Sequence, residues 1–404
     1  MNSLLMVYLI LASSLPGAPP AMPQPGDKVL FLGDSNTYAG HFVADIDYYL
    51  LTRFPLKNIE VINLGLPSET ISGQSERDHP FPRPNVHERL DRALKTIQPA
   101  HVIACYGMND GIYSPFDEGR FAKYQEGFLT LVKKSRAAGA RVTLLTTPPF
   151  DPKPVKAKLR PAGAPEYSYK DPFEDYDAVL KKYSTWLVSL TSTDLPVADA
   201  HSALLDQLKA KRLTKPEFIF SGDGIHPNAS GHWFVAQEVL KAWNAPMPQG
   251  KVVAKPKSFP AIIDLTGVYP YVANPAWEDW VKERFLAHRG LHQLRIVGLE
   301  QGSYRLSHQS TELGKYTAEE LAKGVDLLQF SDLPLAARAQ LIRKLSTERT
   351  RELGQALLSD IGHKRPMTAA GKPMAEARKI YEEKTVRIRE IQAIKVELTL
   401  DRVE

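Results

Sequence analysis

Along the first 250 positions, apolar residues fall into short unbroken runs separated by stretches of helical spacing. Val29-Leu30-Phe31-Leu32 ends at Gly33, and Val61-Ile62-Asn63-Leu64 ends at Gly65. Val102 to Tyr106 and Val142-Thr143-Leu144-Leu145 follow, with Leu195-Pro196-Val197-Ala198 a weaker fifth. Runs of this kind suit strands covered on both faces, as in a parallel sheet. Between them Leu90, Ala93, Leu94 and Ile97 recur at three and four residues, as do Phe121, Tyr124, Phe128 and Leu131. Tyr176, Val179, Leu180, Tyr183 and Leu187 repeat the pattern, and Val235, Val239 and Trp243 close it. The alternation predicts a doubly wound α/β domain over residues 26–248. Sheets of that type carry their sites in loops at the carboxyl ends of strands.

The stretch from Thr147 to Asp175, rich in Pro, Lys and Tyr, is long for a β–α connection and is expected to form a lid or a substrate wall. Residues 249–260 turn to a Pro/Lys linker. Residues 261–330 predict a small β-rich module: Leu294 and Ile296 alternate with polar neighbours, Gly298 to Gly302 make a turn, and Tyr304 and Leu306 alternate again. Thr317-Ala318-Glu319-Glu320 has the spacing of a capping box. Residues 331–404 are charge-dense and helical in period (Leu335, Ala339, Ile342, Leu345; Ile380, Ile388, Ile391), with a break near Gly362–Pro373. Amphipathic helices packed on the main domain are expected there.

Composition adds exclusions more than assignments. A chain of 404 residues with 43% hydrophobic and 24% charged positions is globular, with room for two or three domains. The net charge of +5 is mild and owes much to the tail, so no nucleic-acid partner is expected. The single cysteine, Cys105, excludes an intramolecular disulfide and a multi-cysteine zinc site. Residues 1–21 have a short apolar stretch, Leu4 to Leu11, followed by small residues and prolines. They predict a signal peptide and export to the periplasm or medium, although no Lys or Arg precedes the apolar stretch. That stretch is shorter than the ~20 residues a bilayer requires, so no stable membrane insertion is expected.

Four motifs stand where site loops belong. Gly33-Asp34-Ser35-Asn36-Thr37 follows the first run, Asn63-Leu64-Gly65 closes the second, and Gly107-Met108-Asn109-Asp110 follows the third. Asp223-Gly224-Ile225-His226-Pro227 precedes the last helix. A serine hydroxyl needs a neighbouring base to become a nucleophile, and an imidazole titrates in the right range. Ser35 is therefore the candidate nucleophile, His226 its base, and Asp223 the group that holds the imidazole. The Ser35 and Gly65 N–H groups and the Asn109 amide are candidate donors to a tetrahedral oxyanion. Asp34, Asn36, Tyr167 and Tyr169 are candidate substrate contacts, with Tyr176 a further ring that could stack on a sugar.

Together these motifs resemble the SGNH hydrolase superfamily, the GDSL-like lipases and esterases, named for the Ser, Gly, Asn and His of its four blocks. Ser35, Gly65, Asn109 and His226 stand in those positions in order, over roughly residues 28–245. The first block reads GDSN instead of GDSL. The resemblance implies a three-layer α/β/α, flavodoxin-like fold on a five-stranded parallel sheet, with a solvent-open site and chemistry that needs no cofactor or metal. The layout beyond residue 248 looks like a bacterial subset with a C-terminal extension.

Each motif also has a blander meaning. Gly-Asp-Ser alone is a common turn after a strand, and Asn109-Asp110 could cap a helix. Asp199 and His201 form a rival acid–base pair, but no serine motif accompanies them, so Asp199 is expected to be structural. The G-x-S-x-G elbow of α/β-hydrolases is absent. The expectation is a serine ester hydrolase forming an acyl-enzyme, acting on short-acyl, chiefly acetyl, esters of carbohydrates. A lysophospholipase or thioesterase, or a non-catalytic carbohydrate-binding scaffold, are the alternatives.

Overall fold

A computed structural model describes residues 22–55, 57–246, 251–265, 272–288 and 293–403. The expected signal peptide, residues 1–21, lies outside the described residues. The first 250 positions form β1 (Lys28–Gly33), α1 (Ser35–Tyr38), α2 (His41–Arg53), β2 (Glu60–Asn63), α3 (Leu90–Ile97) and β3 (His101–Cys105). These are followed by α4 (Glu118–Ala137), β4 (Arg141–Leu145), α5 (Tyr176–Ser189), β5 (Val197–Ala198), α6 (Ala200–Arg212) and α7 (Ala229–Ala242). The five strands make one parallel sheet in the order β2-β1-β3-β4-β5.

Alternation along a strand explains the unbroken apolar runs. Val29 and Phe31 of β1 join one core with Phe42 and Ile46 of α2 and Val235 and Val239 of α7. Leu30 and Leu32 point the other way, into a second core with Leu90, Phe128 and Val179 of α3, α4 and α5. With both faces of the sheet covered, every strand position favours an apolar side chain. The three layers are those of the SGNH α/β fold.

Beyond the sheet the chain builds β6 (Lys251–Ala254), β7 (Ala261–Asp264), α8 (Asp279–His288), β8 (Gln293–Ile296), β9 (Ser303–His308) and β10 (Thr311–Thr317). Then come α9 (Ala318–Lys323), β11 (Val325–Asp326), α10 (Leu335–Ile361), α11 (Met374–Ala393) and β12 (Glu397–Val403). Thr317 and Glu320 cap α9 reciprocally, as their spacing predicts. Two boundaries differ from the expectation. The linker 249–260 contains β6, which pairs in parallel with β8. The helical segment 331–404 ends in β12, which inserts between β9 and β7. The small module is thus closed by the last strand of the chain, and α10 and α11 are an excursion from it. Leu398 and Leu400 of β12 supply part of its core with Leu294, Tyr304 and Leu306.

That excursion covers the edge of the large sheet. Ala339 and Ile342 of α10 enter the first core, while Leu353, Leu357 and Ile361 enter the second, so the helix passes over edge strand β2. Gly354 makes the crossing possible: a Cβ there would lie 2.3 Å from the Asn63 carbonyl oxygen. Two buried ion pairs hold α10 to α2. Arg343 meets Asp45, and Arg349 Nη2 lies 2.8 Å from Asp47 Oδ1, with Ser346 Oγ donating to Asp47 Oδ2 at 2.6 Å.

Removing one member of a buried pair leaves the other desolvated and unpaired, at a cost of about 3–5 kcal/mol. Arg349→Ala is expected to destabilise the whole fold by that order in urea unfolding. A loss below about 1 kcal/mol would mean that water reaches Asp47 and that the two helices are loosely joined.

Candidate active site

The first loop of the site is set by an absence of volume. At the end of β1, a Cβ on Gly33 would stand 2.1 Å from Thr37 Oγ1 and 2.7 Å from the Cys105 carbonyl oxygen. The chain can therefore fold back at once into α1. Asp34 caps that turn, its Oδ1 accepting the Asn36 N–H at 2.9 Å. Ser35, the first residue of α1, is half-buried. At the end of β2, Asn63 Nδ2 donates to the Thr37 carbonyl at 2.7 Å, and Asn63 Oδ1 accepts the Gly65 N–H at 2.9 Å. A Cβ on Gly65 would meet the Tyr38 nitrogen at 2.2 Å.

The histidine arrives from the far end of the domain. Asp223 Oδ1 gathers a loop around itself, accepting from Ser221 Oγ at 2.8 Å and from the Ile225 and His226 N–H groups at 2.9 Å each. Its Oδ2 lies 2.6 Å from His226 Nδ1, and His226 Nε2 lies 2.7 Å from Ser35 Oγ. With the proton on Nδ1 facing a carboxylate, Nε2 is left to accept from the serine. Gly224 takes φ +78°, and a Cβ there would lie 2.5 Å from the Asp151 carbonyl. The Asp151 N–H donates to the Gly224 carbonyl at 2.9 Å, so the long Thr147–Asp175 connection braces the histidine loop.

Burial pulls the His226 pKa down, but the hydrogen bond and charge of Asp223, aided by Asp34, hold it above the ordinary 6.5. Burial alone would raise Asp223, yet its four donors keep the carboxyl well below the usual range. Asp34 goes the other way: desolvation pushes it up to about 7, opposed by the Asn36 N–H and the nearby imidazole. The site thus holds one carboxylate ionised throughout and a second, buried one near its titration point.

Other expected site residues are placed less simply. Asn109 is buried, Nδ2 donating to the Glu69 carbonyl at 3.1 Å. Asp110 caps no helix. Its Oδ1 accepts the Ile71 and Ser72 N–H groups at 2.9 Å, fixing the loop after β2. Asp34 and Asn36 are buried and offer no substrate surface: Asp34 caps the α1 turn, and Asn36 Nδ2 donates to the Ile225 carbonyl of the histidine loop at 3.5 Å. Gly65 N–H is taken by Asn63. Tyr176 is core, donating to the Met108 carbonyl at 2.7 Å, and Tyr167 ties its own loop, donating to the Pro161 carbonyl at 2.8 Å. Tyr169 lies 5.5 Å from the His79 ring and 6.0 Å from the Arg83 guanidinium. Asp199 caps α6 and accepts from Thr146 Oγ1 at 3.2 Å, a structural role.

Two groups escape the sequence reading. Arg83 is buried in a two-pronged pair with Glu76, at 2.6 Å on each prong, and its Nη1 donates to the Ser68 carbonyl at 3.4 Å. Ser68 adopts φ +67°, rare for a residue with a side chain. Among the described residues its N–H has no acceptor, and its turn is tied to Gly33 through the Leu66 N–H. No periodicity or motif marks either residue, because both act through loop geometry.

A sequence profile of the GDSL-like Lipase/Acylhydrolase family matches residues 31–234. Among solved structures, a gut microbial diltiazem-metabolizing enzyme is similar over 96% of this chain and all of its own, with TM-score 0.68 and 19% identity. A catalytic mutant of an acetylxylan esterase from Geobacillus stearothermophilus covers 55% of this chain and 97% of its own, with TM-score 0.39 and 18% identity. No curated protein matches in sequence. The first likeness extends the shared fold through the C-terminal sheets and helices. The profile spans more than half of the chain, and so the chain belongs to the GDSL-like Lipase/Acylhydrolase family and is a hydrolase of ester bonds.

Proposed function

We propose that the chain is a serine hydrolase that deacylates short-acyl, chiefly acetyl, esters of carbohydrates through an acyl-enzyme. One observation carries this reading: Ser35 Oγ, His226 and Asp223 form an unbroken hydrogen-bonded line of 2.7 and 2.6 Å. In the proposed reaction His226 Nε2 takes the serine proton as Oγ attacks the ester carbonyl, and Asp223 steadies the imidazolium. The alcohol leaves with that proton, and water repeats the sequence. The oxyanion would be met by the Ser35 N–H and Asn109 Nδ2. The Ser68 N–H, without an acceptor among the described residues, is a better third donor than Gly65, whose N–H is engaged.

The acyl and alcohol preferences rest on the surroundings. His226 and Asp223 are exposed, and Tyr169 of the long connection sits with a histidine and an arginine. A polar, open rim of this kind suits a hydrophilic alcohol and a small acyl group more than an alkyl chain. The leader-like residues 1–21 support export to where such polymers are found.

Fluorophosphonate labelling and turnover of p-nitrophenyl acetate should both vanish in Ser35→Ala. Labelling that persists in that variant would remove Ser35 from the mechanism. Across p-nitrophenyl esters, acetate should turn over faster than decanoate; the reverse order would favour a lysophospholipase or thioesterase.

The pH profile gives a second test. The imidazole works as a base only when neutral, and its pKa is raised, so activity should fall as pH drops through a value above 6.5. Asp223→Asn removes the main raising interactions. Its acid limb should move to lower pH while kcat falls by roughly 10²- to 10⁴-fold. An unmoved limb would show that another group sets it.

A further inference from the structure

We propose that Tyr113 is a positioning residue for the reaction, holding the Asn109 amide in the orientation that presents its free N–H to the oxyanion. The inference rests on the role given to Asn109 above. Asn109 Nδ2 carries two hydrogens, one of which is donated to the Glu69 carbonyl at 3.1 Å. The other remains for substrate. The opposite end of the amide, Oδ1, accepts the Tyr113 hydroxyl at 3.1 Å. Both side chains are buried, so no solvent molecule is at hand to replace the phenol.

The backbone is bent to deliver that hydroxyl. Ile112 and Tyr113 are consecutive left-handed residues, at φ +46° and +56°, and for a β-branched residue this conformation is an outlier. Strain of that sort persists only where surrounding contacts over-determine it. Here they are numerous. The Tyr113 ring stacks on Tyr176 at 4.9 Å, its other neighbour is the Arg83 guanidinium at 5.6 Å, and its carbonyl accepts the Phe173 N–H at 2.9 Å. Two distant segments, around Arg83 and Phe173–Tyr176, therefore converge on one tyrosine whose hydroxyl has a single side-chain partner. Burial also pushes its pKa up, so it stays a neutral donor at any working pH.

The test is a double-mutant cycle on p-nitrophenyl acetate with Tyr113→Phe, Asn109→Ala and the pair, recording kcat, KM and the thermal midpoint. Tyr113→Phe should lower kcat roughly tenfold, less than the ~10²-fold expected for loss of the donor itself, with KM and the midpoint little changed. In the Asn109→Ala background the same substitution should cost nothing further. If Asn109→Ala is impaired while Tyr113→Phe keeps full kcat, the inference fails alone. It also fails if the two losses multiply, or if Tyr113→Phe loses activity only through a raised KM or a lowered midpoint. If Asn109→Ala keeps full kcat, the role of Asn109 fails and this inference with it.

Discussion

The chemistry of this site depends on the space denied to side chains where α1 settles between the ends of the first two strands. At Gly33 and Gly65 an added methyl group would sit 2.1 and 2.2 Å from atoms of α1. Rotating a side chain would not relieve them, since the opposing atom at Gly65 is backbone nitrogen and the Cys105 carbonyl stands 2.7 Å away at Gly33. The helix that carries Ser35 is consequently seated at a depth fixed by main chain, and Asn63 locks it there through Thr37. A hydroxyl placed by such contacts has little freedom to drift from an imidazole at 2.7 Å. Reaction rates are sensitive to errors of about 1 Å in such pairs, which is why the seating matters more than its small energy suggests.

Two aspartates stand near the imidazole, and burial decides their parts. Asp34 adjoins the serine in sequence but is spent on the α1 turn, and desolvation lifts it to about 7. Asp223 is exposed and collects four donors, so it remains ionised far below neutrality. A carboxylate that must stabilise an imidazolium has to keep its charge when the proton arrives.

Much of the large domain was legible in the sequence because a sheet covered on both faces writes continuous apolar runs. The covering helices with one buried stripe, α3, α4 and α5, were legible for the same kind of reason. By contrast α2 left no stripe: ten of its 13 residues are buried, since the sheet lies on one side and α10 on the other. Strand β6 hid in a Pro/Lys stretch, and β12 followed a helical segment with a partner sheet far upstream. Pairings so distant leave no local trace. The four motifs fall on loops at strand and helix ends of the large domain, and the contacts within those loops were the illegible part. That Asn63 would occupy the Gly65 N–H, or that Ser68 would turn left-handed, depends on how one side chain folds back on its own turn.

The C-terminal excursion bears on the same constraint. Edge strand β2 ends at Asn63, the residue that ties α1 to Gly65, and α10 passes over that end with Gly354 against the Asn63 carbonyl. An uncovered edge would leave Asn63 at the frayed margin of a sheet, where strand ends open most readily. With α10 anchored through Asp45 and Asp47 on one side and Arg92 donating to the Ile361 carbonyl at 2.7 Å on the other, the margin becomes interior. The helices beyond residue 334 are therefore best understood as part of the catalytic fold's own framework. One asparagine touches both: its carbonyl faces Gly354 of α10, and its side chain holds Thr37 of the helix that carries Ser35.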